Sequence, residues 1–115
     1  MKSHFKLKLD LSENGFNMFF RPYQRVAFEI LWNHPNGLST REVWELTNEE
    51  MSRSISRASI INFLADVAEY EFLDYREETG KGGYRRFYSH KYDSNGLSHY
   101  LEEVVSKALK TLDDV

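Results

Sequence analysis

Serine and arginine alternate in the stretch SRSISRAS, residues 52–59, directly before the apolar run IINFLADVAEYEF. Small hydroxyl side chains let a backbone approach a phosphate, and they can donate hydrogen bonds to it. The beginning of a helix also favours an anion, because its first N–H groups have no partner within the helix. An arginine at that place can donate two parallel hydrogen bonds to a guanine. The stretch therefore has the residue types of a nucleic-acid contact.

The side chains around position 60 predict which residues make that contact. If the apolar residues Ile60 and Phe63 face a core, the opposite face of the helix begins at Arg57. Arginine suits a guanine, asparagine an adenine, and a small apolar side chain the methyl group of thymine. The predicted contact residues of this region are Arg53, Ser54, Ser56, Arg57, Ala58, Ser59, Ile61 and Asn62.

A simpler interpretation of the same residues is that the serines cap a helix and the arginines are solvated. Taken alone, the stretch favours this simpler interpretation. The basic hairpin that follows in the sequence reverses the preference, because clustered basic charge marks a surface that binds phosphate.

The hairpin is the second basic region. Residues 72–92 contain five Lys or Arg and three acidic residues, whereas residues 93–115 contain two lysines and five acidic residues. Its predicted phosphate contacts are Arg76, Lys81, Arg85 and Arg86. Opposite charges on facing strands also attract each other, so Arg85 and Arg86 have a second possible role as partners of Glu77 and Glu78.

Along the chain, the spacing of apolar residues and of turn residues predicts six elements of secondary structure. Residues 5–11 alternate like a strand, and a helix begins at Pro22. A short helix follows Ser39, whose capping box is completed by Glu42, and a third helix begins after Ser56 and runs to about Tyr70. A hairpin turns at glycines 80–83, and an amphipathic helix ends the sequence.

Three short helices followed by a glycine-tipped hairpin are the arrangement of a winged helix-turn-helix protein. The stretches AFEILWNHPNGLSTREVWEL and SRASIINFLADVAEYEFLDYREETGKGGYRRFYS resemble the penicillinase-repressor family of winged-helix regulators, over residues 22–92. The expected fold is α+β and mostly α, with an N-terminal strand. Residues 1–92 form the predicted DNA-binding domain and residues 93–115 a C-terminal dimerisation helix. The resemblance implies a dimeric repressor that binds double-stranded DNA.

The last helix carries a wide apolar stripe. Such a stripe can pack on the helix's own domain, but its width favours a partner subunit, and the N-terminal strand and residues 18–20 are candidates for the same interface. The predicted homodimer contacts are Leu97, Leu101, Val104, Val105, Ala108, Leu109 and Leu112.

Composition excludes several classes of site. The 115 residues have a net charge of −3, 41% apolar residues and no cysteine, so disulfides and thiolate chemistry are absent. No apolar run is long enough to span a membrane, and a cytoplasmic protein is expected. The four histidines are scattered, so no metal site, cofactor or enzymatic activity is predicted; His34 is interpreted as a helix cap.

These observations lead to one hypothesis and one alternative. The hypothesis is a dimeric transcription regulator that reads the major groove with residues 56–70 and touches the DNA backbone or minor groove with the hairpin. The alternative is a winged-helix module of the transcription machinery that binds a protein and no DNA, which the negative net charge favours. The sequence defines neither an operator nor a small-molecule effector.

Overall fold

The computed structural model, which describes residues 7–70, 72–80 and 83–114, places four helices around a small antiparallel sheet. This confirms the expected α+β class with mostly helical content. Short 3-10 turns, Gly15–Met18 and Thr111–Asp114, precede the first helix and follow the last. In chain order the regular elements are α1 (Pro22–Trp32), β1 (Leu38–Ser39), α2 (Thr40–Glu50), α3 (Arg57–Glu69), β2 (Leu73–Gly80), β3 (Gly83–His90) and α4 (Ser94–Lys110).

The helices begin where the capping signals predict. The Ser39 hydroxyl accepts a hydrogen bond from the Glu42 N–H at 3.2 Å, and the Glu42 carboxylate accepts from the Ser39 N–H at 2.9 Å. The Ser56 hydroxyl accepts from the Ser59 N–H at 3.1 Å. At the end of α1, Nδ1 of His34 lies 2.8 Å from the Ile30 carbonyl oxygen, which agrees with the predicted capping role.

The predicted hairpin is present, and it is extended by a strand that was not predicted. β3 lies between β1 and β2, with Leu38 opposite Tyr88 and Gly80 opposite Gly83. β1 precedes α2 directly, and Gly37 before it has a φ of +92°. A Cβ at Gly37 would lie 3.1 Å from the Tyr88 carbonyl oxygen, so glycine permits this close approach of the strands.

An aromatic cluster forms the centre of the core. The Phe28 ring lies 4.9 Å from that of Phe20, 5.6 Å from that of Phe63 and 6.5 Å from that of Phe72. Aliphatic residues of all four helices and of the sheet complete the same cluster. α1, α3 and the base of the hairpin are therefore fixed to one another by a single core.

The predicted N-terminal strand is wrong over residues 7–11, while Phe5 and Lys6 lie outside the described residues. The Asp10 carboxylate accepts hydrogen bonds from the Ser12 N–H at 2.9 Å and from its hydroxyl at 2.6 Å. These bonds lower the pKa of the Asp10 carboxyl and form a local turn that replaces sheet pairing. Within residues 18–20, Phe20 belongs to the core and is not available to a partner subunit.

The stripe on α4 is divided between the core and the surface. Leu97 and Leu101 are buried in the chain's own core, so most of their surface is covered without a partner. Val104 and Val105 are half-buried. The remaining three stripe residues, Ala108, Leu109 and Leu112, are exposed. The first half of α4 therefore packs into the same core as the other helices.

Replacing Phe20 tests whether the segment before α1 is part of the core. We expect Phe20→Ala to lower the free energy of unfolding by about 3–5 kcal/mol, because a buried ring leaves a cavity. Glu13→Ala is the control in the same segment, since Glu13 is exposed and should change stability little. Urea unfolding followed by circular dichroism measures both. Equal effects of the two changes would show that the segment does not pack as described.

Candidate nucleic-acid interface

A groove of about 680 Å³ lies where the first turns of α2 and α3 meet the middle of β3. Its charged lining residues are four arginines and one acid: Arg41, Arg57, Arg85, Arg86 and Glu42. The glutamate is already used by the capping box of α2. Because the whole chain has a net charge of −3, this concentration of arginine is a local feature and not a reflection of composition.

The turn between α2 and α3 determines where α3 begins. Asn48 Oδ1 accepts from the Ile55 N–H at 2.7 Å, and Asn48 Nδ2 donates to the Ile55 carbonyl at 3.3 Å. The indole N–H of Trp44 donates to the same carbonyl at 2.8 Å. Both polar groups of the Ile55 backbone are therefore held by side chains of α2, one residue before the cap of α3. Trp44 is itself half-buried.

α3 presents a mixed polar and apolar strip to the groove. Arg57, Ile61 and Ala65 recur every four residues and line it. Ile61 is 43% exposed although it is apolar, while Ile60 beside it is buried. Ala58 and Asn62 are exposed on the adjoining strip of the same helix. The predicted orientation of residues 57–62, with the outer face exposed and Ile60 inward, is confirmed.

The serines of the opening stretch have two different environments. The Ser56 and Ser59 hydroxyls lie 2.8 Å apart, and Ser56 caps the helix, so both take part in the simpler structural role considered above. Ser54 and Arg53 are exposed in the turn before α3 and do not line the groove. Of the eight residues predicted in this region, Arg57 and Ile61 line the groove itself.

The two arginines of β3 differ in how firmly they are held. The Arg86 guanidinium lies 4.3 Å from the centre of the Tyr75 ring and donates to the Tyr88 hydroxyl at 3.3 Å. That hydrogen bond raises the pKa of Arg86, so its positive charge is secure. The side chains of Arg85 and Arg57 form no hydrogen bond or ion pair with any other residue that the structure describes. Their guanidinium groups are available to a ligand.

The Arg76 side chain is held by contacts within the chain. Its guanidinium donates to the Asn36 carbonyl at 3.0 Å and to Glu78 at 2.7 Å, and it lies 4.7 Å from the centre of the Phe87 ring. It therefore ties the turn before β1 to the hairpin. Lys81, predicted at the hairpin tip, lies outside the described residues.

The cross-strand ion pairs considered from the sequence have the expected register. Glu77 lies opposite Arg86 and Glu78 lies opposite Arg85. In the described part of the hairpin, however, the ion pair is formed by Arg76 and Glu78. Arg85 is thus left without the partner that the register offers it.

Arg41 is the groove residue that sequence reasoning missed. It lies in the first turn of α2, where it is paired with Glu45 at 2.9 Å, and its side chain remains 72% exposed. Cations are disfavoured at the start of a helix because the backbone dipoles already make that end positive. An arginine in the first turn of α2, and another in the first turn of α3, were therefore a signal that these ends face an anion.

Across the described ranges, no three His, Cys, Asp or Glu residues come together in a way that could hold a metal ion. No helix found in those ranges has the length and hydropathy of a membrane span. Comparison of the chain with protein-family models, with curated proteins and with solved structures gave no match.

Removing the Asn48 side chain tests the clamp on the turn. We expect Asn48→Ala to reduce the free energy of unfolding by about 1–3 kcal/mol, because the Ile55 N–H loses its acceptor in a half-buried position. Hydrogen exchange at that N–H should accelerate more than exchange in the core of α1. Asn62→Ala is the matched control, since Asn62 is exposed and should leave both quantities unchanged. Unchanged exchange at Ile55 in Asn48→Ala would contradict the clamp.

Proposed function

We propose that the chain is a winged-helix regulator of transcription that binds double-stranded DNA as a homodimer, with α3 in the major groove and the β2–β3 hairpin as the wing. The observation that carries the proposal is the arginine-lined groove between the starts of α2 and α3 and strand β3. The order of the elements and the antiparallel hairpin after α3 support the winged-helix assignment. The resemblance to penicillinase repressors remains part of this proposal. The proposed activity is binding and regulation, not catalysis.

Electrostatics support DNA as the ligand. Two helices begin at the groove, so the positive ends of their backbone dipoles add to the charge of the four arginines. Duplex DNA carries closely spaced phosphates, and affinity for it comes largely from their neutralisation. The acidic residues Glu102 and Glu103 are exposed on α4, away from the groove lining.

The residues of α3 supply the proposed sequence recognition. An α-helix fits the major groove of B-DNA, and the first turns of a recognition helix reach base edges. Arg57, in the first turn and without a described partner, is the proposed guanine contact. Ile61 and Ala58 offer apolar contacts to thymine methyl groups, and Asn62 offers a pair of hydrogen bonds to adenine. Arg41, Arg85 and Arg86 are the proposed phosphate contacts.

A homodimer would define the spacing between the two DNA half-sites. Two copies related by a two-fold axis would present two α3 helices to half-sites about one helical turn apart. Repression would follow if the occupied site overlaps a promoter.

Salt dependence of binding tests the phosphate contacts. We expect the logarithm of affinity for random duplex DNA to fall with the logarithm of salt concentration, with a slope of about −0.9 per neutralised phosphate. Arg85→Ala should weaken binding to all sequences about equally and reduce the slope by roughly one. Lys107→Ala is the matched control, because it removes the same charge from an exposed position on α4.

Base preference tests the assignment of Arg57. After selection of a preferred duplex from a random pool, Arg57→Ala should relax the preference at one base pair and cost about 1–3 kcal/mol on the selected site. Equal losses on selected and random duplexes would reassign Arg57 to a phosphate. If wild type shows no salt-sensitive binding while Glu102→Ala abolishes capture of a protein partner, the protein-interaction alternative replaces the proposal.

A further inference from the structure

An apolar groove of about 450 Å³ lies on a different surface, between the segment before α1 and the face of α4 that runs from Ser98 to Leu109. Leu9, Leu11, Phe16, Phe19, Val105 and Leu109 are the main apolar residues of its lining. Of these, Leu11 is 83% exposed and Leu109 is 58% exposed, and Leu112 extends the same stripe at 69%. Contiguous apolar surface of this kind marks a binding surface.

We propose that this groove holds α4 of a second copy in an antiparallel pair, with the two-fold axis passing near Val105. The proposal deepens the homodimer part of the proposed function by naming its interface and orientation. It differs from the sequence prediction because the segment before α1 forms one wall, and because Leu97 belongs to the chain's own core.

The spacing of the stripe is the first argument. Ser98, Leu101, Val105, Leu109 and Leu112 follow one another at intervals of three, four, four and three residues, which is symmetric about Val105. A two-fold axis at Val105 therefore places every stripe position opposite another stripe position. An isologous interface requires this self-complementarity.

The second argument is how far the stripe residues project from the surface. Its first half is recessed, with a small residue at Ser98 and Leu101 buried in the floor of the groove. Its second half projects, since Leu109 and Leu112 are largely exposed. An antiparallel pair sets the projecting leucines of each copy over the recessed half of the other. A small apolar ligand inside the groove would leave Leu112 exposed, because Leu112 lies outside the lining.

Charge is the third argument, and it selects the direction of the pair. Glu102 is the charged residue of the groove lining. In a parallel pair the two Glu102 carboxylates would lie opposite each other at the edge of an apolar contact, which is unfavourable. In the antiparallel pair Glu102 lies opposite Ala108 of the second copy, so the like charges are separated.

Sedimentation of the full chain without DNA tests the surface, so that its outcome is independent of DNA binding. Across a concentration series, wild type should sediment as a dimer. Leu109→Glu and Leu112→Glu should each raise the dimer dissociation constant at least about tenfold while the circular dichroism spectrum stays unchanged. Ile61→Glu is the matched control, because it places the same charge on the exposed face of α3 and should leave the dimer intact. A wild-type monomer throughout the series would overturn the proposal.

Cysteine cross-linking tests the direction, since the natural chain has no cysteine. A mixture of Ser98→Cys and Leu112→Cys chains should form a disulfide-linked dimer on mild oxidation, because the two positions face each other across the pair. Ser98→Cys alone should not, because its two copies would lie about 21 Å apart along the helices, beyond disulfide reach. Efficient cross-linking of Ser98→Cys alone would show a parallel pair and overturn the proposed orientation.

Discussion

The position of α3 depends on how the backbone at Ile55 is held. Its N–H and its carbonyl are both bonded to side chains of α2, through Asn48 and Trp44. One residue later, Ser56 caps α3, so the direction of the helix is determined within a few residues. Without this constraint the core would still bury Ile60 and Phe63, but the start of α3 would not be fixed against α2 and β3. The arginine groove exists because those three elements are held in register.

Local signals in the sequence predicted the helices and the hairpin well. A helix cap is formed by residues within four positions of one another. Ser39, Glu42 and Ser56 therefore indicate the start of a helix whatever the tertiary structure around them. The alternation at residues 7–11 wrongly predicted a strand, because a strand needs a second strand to pair with. The Asp10 carboxylate closes a local turn instead. β1 was not predicted because it is only two residues long, and because its last residue, Ser39, is also the N-cap of α2.

The candidate site was predicted only in part, because some of its features are local to one helix and others depend on contacts between elements. The exposure of Arg57 and Ile61 follows from helical period and could be read from the sequence. The meeting of Arg41 with Arg85 and Arg86 depends on how β3 packs against the helices, and no local pattern contains that distance. The engagement of Arg76 by Asn36 likewise depends on a contact between residues far apart in the chain. The same limit applies to α4. Its apolar stripe looks uniform in the sequence, but the helical period does not reveal which stripe residues the rest of the chain buries.

The molecule separates two kinds of surface despite its acidic net charge. One surface has arginines and two helix starts around the groove, and the other has exposed leucines on α4 and on the segment before α1. Because the two surfaces share no lining residues, the proposed DNA contact and the proposed dimer contact would not compete. In the proposed assembly the dimer axis would pass through α4, and the two α3 helices would stay free to bind DNA.

A nuclear magnetic resonance titration of the chain with duplex DNA would show whether the proposed surface, the groove between α2, α3 and β3, binds DNA. We expect the amide signals of Leu109 and Lys110 at the end of α4 to stay unchanged on addition of DNA. The guanidinium signals of the four groove arginines should shift, namely those of Arg41, Arg57, Arg85 and Arg86. Shifts confined to α4, or the absence of any shift in the four arginines at low salt, would contradict the proposal.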